Sequence, residues 1–274
     1  MDLRHGREMI IRRRSPWRAP MPNPARLRIA REGAVAVLWI ENPPRNLLSL
    51  TMVADLAARV VDLEKDDSVR AAVLAGAGHA NFCAGLDMAE WSPLSQKAAQ
   101  DEMSRGQDAF WALEHLTKPT IAAIAGAARG AGAELALACD LRIADESAIF
   151  SHPEVDLGWM PSHGATARLS KIVGRSRALE ILVGGKEVKA LDALRLGIVN
   201  HLASPGGAFD QAKALATAFA SKPRSAVKAI KRALTEGDEK PYRNRFLLES
   251  QHAIQLLWTD EHRAAMERLR EKRA

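Results

Sequence analysis

Two glutamates, Glu134 and Glu154, have the side chains best suited to acid–base chemistry in this sequence. Glu134 lies within residues 131–138, where every other residue is small or apolar. A carboxylate on a buried helix face is costly unless it is paired or functional. If Glu134 instead lies on a solvent-facing side of its helix, it needs no special explanation. Glu154 follows a predicted strand and by itself fits an ordinary loop acid. Together, the two carboxylates could take and give a proton in general acid–base catalysis.

Two glycine-containing turns could supply main-chain donors near these acids. One covers residues 126–134 and the other residues 76–87, and each follows a predicted buried strand. The first leads into a helix, and free N–H groups at a helix N-terminus favour negative charge. Its glycine spacing matches neither a Walker loop nor a dinucleotide fingerprint, so a purely structural tight turn is the alternative. Two such turns could direct two N–H groups at one oxygen, as in an oxyanion hole.

Alternating strands and helices would have to position these turns. Apolar runs predict strands, and apolar residues at i, i+3, i+4 and i+7 predict helices. The strands are predicted at residues 35–40, 69–74, 120–125, 141–143 and 148–150, and the helices from an N-cap at Thr51 and over residues 95–116. After Pro161 helical patterns dominate, with one possible strand at residues 198–202. The sequence therefore predicts an α/β body of roughly 200 residues with a helical C-terminal part, without a clear sequence repeat.

Composition excludes several classes of protein. Only 5% of the 274 residues are aromatic, with a single Tyr, which argues against a surface that stacks nucleic-acid bases. Cys83 and Cys139 are the only cysteines, so a disulfide framework or a four-cysteine zinc site is excluded. We interpret Cys83 as a packing residue. The scattered histidines and the absence of HExxH and G-x-S-x-G motifs argue against a metal site and a serine hydrolase. No apolar run approaches the about 20 residues of a membrane span.

The net charge of +6 comes mainly from residues 1–24, which hold six Arg against Asp2 and Glu8. The remaining residues carry 33 basic and 31 acidic groups, so the body is close to neutral. We predict that residues 1–24 form a disordered basic leader, or lie upstream of a start at Met21. The acids count against a mitochondrial-type presequence, and the lack of an amphipathic or aromatic pattern counts against a nucleic-acid arm.

Several segments in this order resemble the enoyl-CoA hydratase/isomerase (crotonase) family, from about residue 26 to the C-terminus. The turn at residues 126–140 is the most specific match. The other matching segments are Pro44-Arg45-Asn46-Leu47-Leu48, Phe82-Cys83-Ala84-Gly85-Leu86-Asp87, Ser151-His152-Pro153-Glu154 with Leu157-Gly158 and Pro161, and residues 184–197. The resemblance implies a crotonase-like spiral of repeated ββα units with a C-terminal α-helical region. We therefore expect a core over residues 25–204 and a helical oligomerisation region over residues 205–274.

The resemblance also implies roles for individual residues. The backbone N–H groups of Leu86 and Ala131 would hold the thioester oxygen of an acyl-CoA. Glu134 and Glu154 would be the catalytic acids, and because both are present hydration of a 2-enoyl-CoA is favoured. The proton donor is expected to be the more desolvated acid. The substrate path would be lined by Ala84, Asp87 and Met88.

The resemblance implies no metal and no tightly bound cofactor, since coenzyme A arrives as part of the substrate. It implies a homotrimer or homohexamer. From the composition we expect no nucleic-acid or membrane partner, and we expect a cytoplasmic location. An enoyl-CoA isomerase or another acyl-CoA lyase is the enzymatic alternative, and a non-catalytic or RNA-binding relative of the fold is the alternative from another class.

Three residues depart from the family pattern or are bulkier than it suggests. A run of glycines usually follows the position of Pro161, whereas this chain has Ser162-His163-Gly164. His163 could reach the acyl pocket or could be a plain loop histidine. Trp159 and Trp91 could shorten that pocket, or could be packing residues.

Overall fold

The computed structural model describes residues 25–78 and 81–271 of the chain. The basic leader predicted over residues 1–24 lies outside the described residues, and so does part of the second glycine-containing turn. Within the described residues, no helix is both long enough and apolar enough to cross a bilayer.

A six-stranded sheet forms the centre of the fold. Its strands are β1 (Arg26–Glu32), β2 (Val35–Glu41), β3 (Ala71–Gly76), β5 (Thr120–Ile124), β7 (Leu141–Asp145) and β10 (His201–Ala203), in the order β1-β2-β3-β5-β7-β10. β1 and β2 are antiparallel, and every other neighbouring pair is parallel. The continuous apolar sequences of β2 and β5 fit this arrangement, because parallel strands are covered on both faces.

A second sheet of four short strands lies beside the first. It consists of β4 (Asn81–Cys83), β6 (Ala127–Arg129), β8 (Ile149–Ser151) and β9 (Val188–Lys189), in that order. β4, β6 and β8 are parallel, and β9 is antiparallel to β8. The sequence analysis missed β4 and β6 and read residues 126–134 as one continuous turn. Three residues are too few to show a periodic pattern, so only pairing with β8 reveals β6.

Helices follow the strands in a regular order. They are α1 (Leu50–Lys65), α2 (Met88–Trp91), α3 (Gln96–His115), α4 (Ala131–Leu137), a 3-10 helix (Pro153–Leu157), α5 (Ala165–Val173), α6 (Arg175–Gly184), α7 (Ala190–Arg195), α8 (Ala208–Ala220), α9 (Arg224–Gly237), α10 (Tyr242–Leu256) and α11 (Asp260–Glu271). Helix α1 begins two residues earlier than predicted, because Ser49 rather than Thr51 accepts the N-cap hydrogen bond, from the Met52 N–H.

Successive ββα units explain the architecture. β1-β2-α1, β3-β4-α3, β5-β6-α4 and β7-β8-α5 follow one another, and in the last three units one strand joins each sheet. The predicted α/β class is confirmed, including the repeated units for which the sequence shows no clear repeat.

Two apolar layers hold the fold together. The larger lies between the sheets and helices α1, α3 and α4, with Phe82 and Phe110 among its most buried side chains. On the other face of the six-stranded sheet, α8 presents Ala208, Ala212 and Ala216 to the side chain of Trp39 and its neighbours. Small residues at this spacing let the helix lie close to the sheet. By contrast, α10 has no buried residue.

Candidate active site

The carboxyl ends of three parallel strands bring the predicted site segments to one edge of the small sheet. In the ladder, Cys83 pairs with Ala128, and Arg129 pairs with Ser151. The segments that leave these strands therefore run side by side: residues 84–87 after β4, 130–131 after β6 and 152–154 after β8. The carboxyl edge of parallel strands is the usual place for a binding site in α/β proteins.

Two glycines allow these segments to touch. A Cβ at Gly132 would overlap the carbonyl of Cys83, so a side chain at this position would separate α4 from the end of β4. Gly85 has a φ of +111° and would place a Cβ 3.3 Å from the Arg129 carbonyl oxygen. Glycine lets another group approach the backbone closely, and here the approaching group is the neighbouring segment itself.

The backbone N–H groups of Leu86 and Ala131 are available to donate to a ligand. Leu48 fixes the first segment from both sides: its N–H donates to the Gly85 carbonyl at 2.8 Å, and its carbonyl accepts from the Asp87 N–H at 2.9 Å. The Ala131 N–H lies in the first turn of α4, where a helix offers no acceptor. Among residues 25–78 and 81–271, neither the Leu86 nor the Ala131 amide has a hydrogen-bond acceptor.

A buried asparagine anchors the first of these segments. The Asn46 side-chain amide donates to the carbonyls of Ala77 and Asn81, both at 2.8 Å, and its oxygen accepts from the Asn42 N–H. Asn46 is fully buried and has a φ of +50°. The sequence analysis quoted this residue only as part of a family-like segment. Its two donor contacts are to backbone carbonyls more than 30 residues away, and no local pattern could reveal them.

Glu134 is buried in α4 and held by the loop before α5. Its side chain is 1% exposed, and Oε1 accepts from the backbone N–H groups of His163 at 2.8 Å and Ala165 at 3.0 Å. Burial by itself would raise the pKa of this carboxyl, but the imidazole of His163 and the two N–H donors outweigh it and lower the pKa below its usual value. Glu134 is therefore ionised at neutral pH.

The pKa of Glu154, in the 3-10 helix, is shifted in the opposite direction. Burial, reinforced by the charge of Glu134, raises its pKa to about 7. Its Oε2 is buried and has no hydrogen-bond partner among the described residues. Gly130, with a φ of +50°, borders Oε1, since a Cβ there would lie only 2.8 Å away. Near neutral pH a substantial fraction of Glu154 carries a proton.

The two carboxyls thus differ in a way that burial alone does not explain. The sequence analysis expected the more desolvated acid to be the one with the raised pKa. Glu134 is the more deeply buried of the two, yet its pKa is lowered, because backbone donors compensate it. The expectation is wrong because it considered desolvation without hydrogen bonding.

Aromatic side chains lie near His163, whose Nδ1 is 3.5 Å from Oε2 of Glu134. His163 is 2% exposed, and its ring centroid lies 5.1 Å from that of Phe110 and 6.5 Å from that of Trp91. Trp91 is itself buried and lies 6.0 Å from Trp159. His163 therefore lies in the loop before α5 and is a buried neighbour of a candidate catalytic acid.

The residues predicted along the substrate path lie on the loop after β4 and at the start of α2. The Ala84 N–H donates to the Arg45 carbonyl at 2.9 Å. The Asp87 carboxylate caps α2 by accepting from the Ala89 N–H at 3.1 Å, and Met88 is 41% exposed. Asp87 thus has a local structural partner, whereas the Met88 side chain is open to a ligand.

Cysteine and metal chemistry find no support in the described part of the chain. Cys83 and Cys139 are free and buried, and burial raises the pKa of each thiol to about 12. Such thiols remain protonated at neutral pH, which agrees with Cys83 as a packing residue. Across residues 25–78 and 81–271, no group of three or more His, Cys, Asp or Glu side chains could hold a metal ion.

A protein-family model, curated proteins and solved structures are similar to this chain. A family model described as enoyl-CoA hydratase/isomerase matches residues 30–274. The short-chain-enoyl-CoA hydratase of Clostridium acetobutylicum is 35% identical over 89% of this chain and 94% of its own. The crotonyl-CoA hydratase of Syntrophomonas wolfei is 36% identical over 76% of this chain and 81% of its own. The crystal structure of enoyl-CoA hydratase subunit I from Geobacillus kaustophilus is 34% identical, covers 90% of this chain and 95% of its own, and superposes with a TM-score of 0.84.

Proposed function

The chain belongs to the enoyl-CoA hydratase/isomerase family, and we propose that it adds water across the 2,3 double bond of a 2-enoyl-CoA thioester. Relatives named for hydration of short-chain and crotonyl thioesters support this reaction class. The observation that carries the proposal is the pair of carboxyls with opposite pKa shifts beside two unpaired main-chain donors. Coenzyme A enters as part of the substrate, and the reaction needs no other cofactor.

In this mechanism the N–H groups of Leu86 and Ala131 donate hydrogen bonds to the thioester oxygen. Their hydrogen bonds polarise the carbonyl and make the β-carbon electrophilic. As water attacks, negative charge develops on the thioester oxygen in an enolate-like transition state. Each preorganised donor contributes about 3–4 kcal/mol to stabilising such a charge. Both donors come from the main chain, so their positions depend on the turns rather than on side-chain identity.

The two glutamates divide the proton transfers. Glu134, ionised because its Oε1 receives two N–H donors, takes a proton from the attacking water. Glu154, whose pKa is raised to about 7, gives its proton to the α-carbon. The pair carries one proton before and after the reaction, which moves from one carboxyl to the other as water adds. General acid–base catalysis of this kind contributes about 10²–10⁴-fold each.

The residues expected along the substrate path support the same placement of the thioester. We propose that the CoA portion passes Ala84, Asp87 and Met88, since the loop that carries them also carries the Leu86 donor. Met88 is exposed and apolar, and Ala84 is half-buried, so both offer surface to an incoming thioester. Asp87 would act through the conformation of the loop, because its carboxylate caps α2.

We also propose that the chain assembles as a homotrimer or homohexamer through residues 205–274, with residues 25–204 as the catalytic core. Support comes from the large apolar side chains that α9 and α10 leave exposed, among them Leu234, Phe246 and Leu247. A cytoplasmic location agrees with two free, reduced cysteines.

Crotonyl-CoA distinguishes hydration from the alternatives. Hydration consumes the absorbance of the conjugated enoyl-thioester and adds one water to the product mass, whereas an isomerase leaves the mass unchanged. We expect wild-type protein to form the 3-hydroxyacyl-CoA catalytically. An inert protein that still binds CoA thioesters would contradict hydration of short enoyl chains. Salt-sensitive retention on RNA without thioester binding would instead favour the nucleic-acid alternative.

A further inference from the structure

The imidazole of His163 lies beside Glu134 and has no role in the reaction described above. Its Nδ1 is 3.5 Å from Oε2 of Glu134 and 3.2 Å from the Ser162 hydroxyl oxygen. The side chain of His163 is completely buried. Its other nitrogen, Nε2, is buried without a hydrogen-bond partner among the described residues. It faces Gly106 of α3, where a Cβ would overlap Nε2 and Cδ2.

These contacts favour a proton on Nδ1 of the imidazole. A proton on Nε2 would be a buried donor without an acceptor among the described residues. It would also leave the Nδ1 lone pair facing the Glu134 carboxylate, with only the Ser162 hydroxyl able to donate to it. A proton on Nδ1 instead points toward the Glu134 carboxylate. It leaves Nε2 as a buried acceptor without a donor, which costs less free energy than a buried donor without an acceptor.

We propose that His163 is a positioning residue that holds Oε2 of Glu134 through Nδ1–H. This inference rests on the proposed hydratase function. Oε1 of Glu134 is already fixed by the N–H groups of His163 and Ala165. A donor near Oε2 removes the remaining rotation of the carboxylate, so that Oε2 keeps the orientation that receives the proton of the attacking water.

Gly106 is the structural partner of this arrangement. The ring of His163 packs against α3 at Gly106 and at the ring of Phe110. Any side chain at position 106 would push the imidazole away from its place. The absence of a Cβ at Gly106 therefore determines how closely Nδ1 approaches Glu134.

Two amide substitutions separate the Nδ1 contact from the mere presence of a polar side chain. In His163→Asn the side-chain amide can occupy the Nδ1 position, whereas in His163→Gln it reaches the Nε2 position beside Gly106. We expect His163→Gln to lower kcat for crotonyl-CoA by about tenfold or more, and His163→Asn to retain kcat within about threefold. The KM of both variants should stay within about twofold of wild type, because the imidazole acts through Glu134 and not on the thioester. Equal kcat values for the two variants would overturn the proposal.

A double-mutant cycle tests the contact with Gly106. Gly106→Ala alone should lower kcat by about tenfold, because the new methyl group displaces the imidazole. In the His163→Ala background the ring is absent, so the same Gly106→Ala change should alter kcat by less than about twofold. An undiminished effect of Gly106→Ala in that background would mean that the glycine acts through another contact and would contradict the proposal.

A measurement independent of activity keeps this inference separable from the proposed function. In protein labelled with 15N-histidine, the His163 signal, assigned by its loss in His163→Asn, should show the Nδ1–H tautomer. An Nε2–H tautomer would overturn the positioning role even in an active enzyme. If wild type fails to hydrate 2-enoyl-CoA while the Nδ1–H tautomer is present, the hydratase function fails and the contact with Glu134 stands.

Discussion

At the scale of residues, the site separates two chemically identical side chains by their surroundings. Glu134 is the more buried acid but receives N–H donors from His163 and Ala165, so its charged form is favoured. Glu154 is less buried, yet its Oε2 has no partner among the described residues, and burial raises its pKa to about 7. The proposed mechanism therefore uses one carboxyl as base and the other as acid at the same pH.

The pKa of Glu154 predicts the pH dependence of the reaction. Its raised pKa means that the proton needed for transfer to the α-carbon is present below about pH 7 and is lost as the pH rises through that value. We expect kcat/KM to fall on the alkaline side with an apparent pKa near 7. Because hydration consumes no net proton, dehydration of the 3-hydroxyacyl-CoA should show the same alkaline limb. A profile that is flat from pH 6 to 9 in both directions would contradict Glu154 as the proton donor.

Gly130 gives a second prediction at this scale. Replacement by Ala places a Cβ 2.8 Å from Oε1 of Glu154 and strains a φ of +50°. We expect Gly130→Ala to lower kcat by about tenfold or more and to reduce stability by about 1–2 kcal/mol. Gly33→Ala is the matched control, because Gly33 has a φ of +62° with open space around its Cα. It should lose similar stability and keep its kcat, so an equal loss of kcat in both variants would refute the steric account.

At the scale of elements, α3 holds the loop that donates to Glu134. The Gln107 side chain donates to the Ser162 carbonyl at 2.8 Å. Arg168 of α5 donates to the His163 carbonyl at 2.6 Å and to Glu114 of α3 at 2.8 Å. The loop therefore directs its N–H groups inward to a carboxylate, while its carbonyls are bound from the outside.

Removal of the arginine should loosen this loop. Arg168→Met leaves the His163 carbonyl and Glu114 without their donor, and we expect it to cost about 2–3 kcal/mol of stability. The kcat should fall as well, since Glu134 loses the fixed position of its own donors. Lys171→Met on the same helix is the control, because its ion pair with Asp238 is exposed and contributes about 0–1 kcal/mol. Denaturant unfolding at fixed protein concentration, beside kcat, measures both effects; equal behaviour of the two variants would contradict the role of Arg168.

At the scale of the whole molecule, the C-terminal helices expose apolar surface to an unusual extent. Large side chains on α9 and α10, and just after α10, are more than half exposed: Ile230, Leu234, Tyr242, Phe246, Leu247, Ile254, Leu257 and Trp258. Monomeric proteins rarely expose contiguous apolar patches larger than a few hundred Å². This surface supports the proposed self-assembly of the chain.

Assembly can be tested at one position on α10. Leu247 is 61% exposed, so Leu247→Arg should leave the protomer fold intact and destabilise the oligomer by burying a charge in the interface. We expect light scattering to show a smaller mass for Leu247→Arg and an unchanged mass for Leu247→Met, which keeps the apolar surface. A monomeric wild type, or an oligomeric Leu247→Arg, would contradict the assignment of this face.

The features that the sequence could predict are those with a local or repetitive signal. The long apolar strands β2 and β5, the α/β class and the unusual position of Glu134 among alanines all follow from neighbours along the chain. The short strands β4 and β6 could not be predicted, because they are defined by pairing rather than by pattern. The contacts of Asn46 with residue 81 and of His163 with Glu134 span about 30 residues, so they depend on the completed fold.

The most direct test of the account compares Glu134→Gln and Glu154→Gln with wild type. Both changes preserve side-chain size and remove the ability to exchange a proton, and Glu134→Gln also removes the negative charge of the ionised carboxylate. We expect each variant to lose about a hundredfold or more in kcat for crotonyl-CoA, while its affinity for a CoA thioester measured by calorimetry changes by less than about threefold. Full activity in either variant would contradict the two-glutamate mechanism.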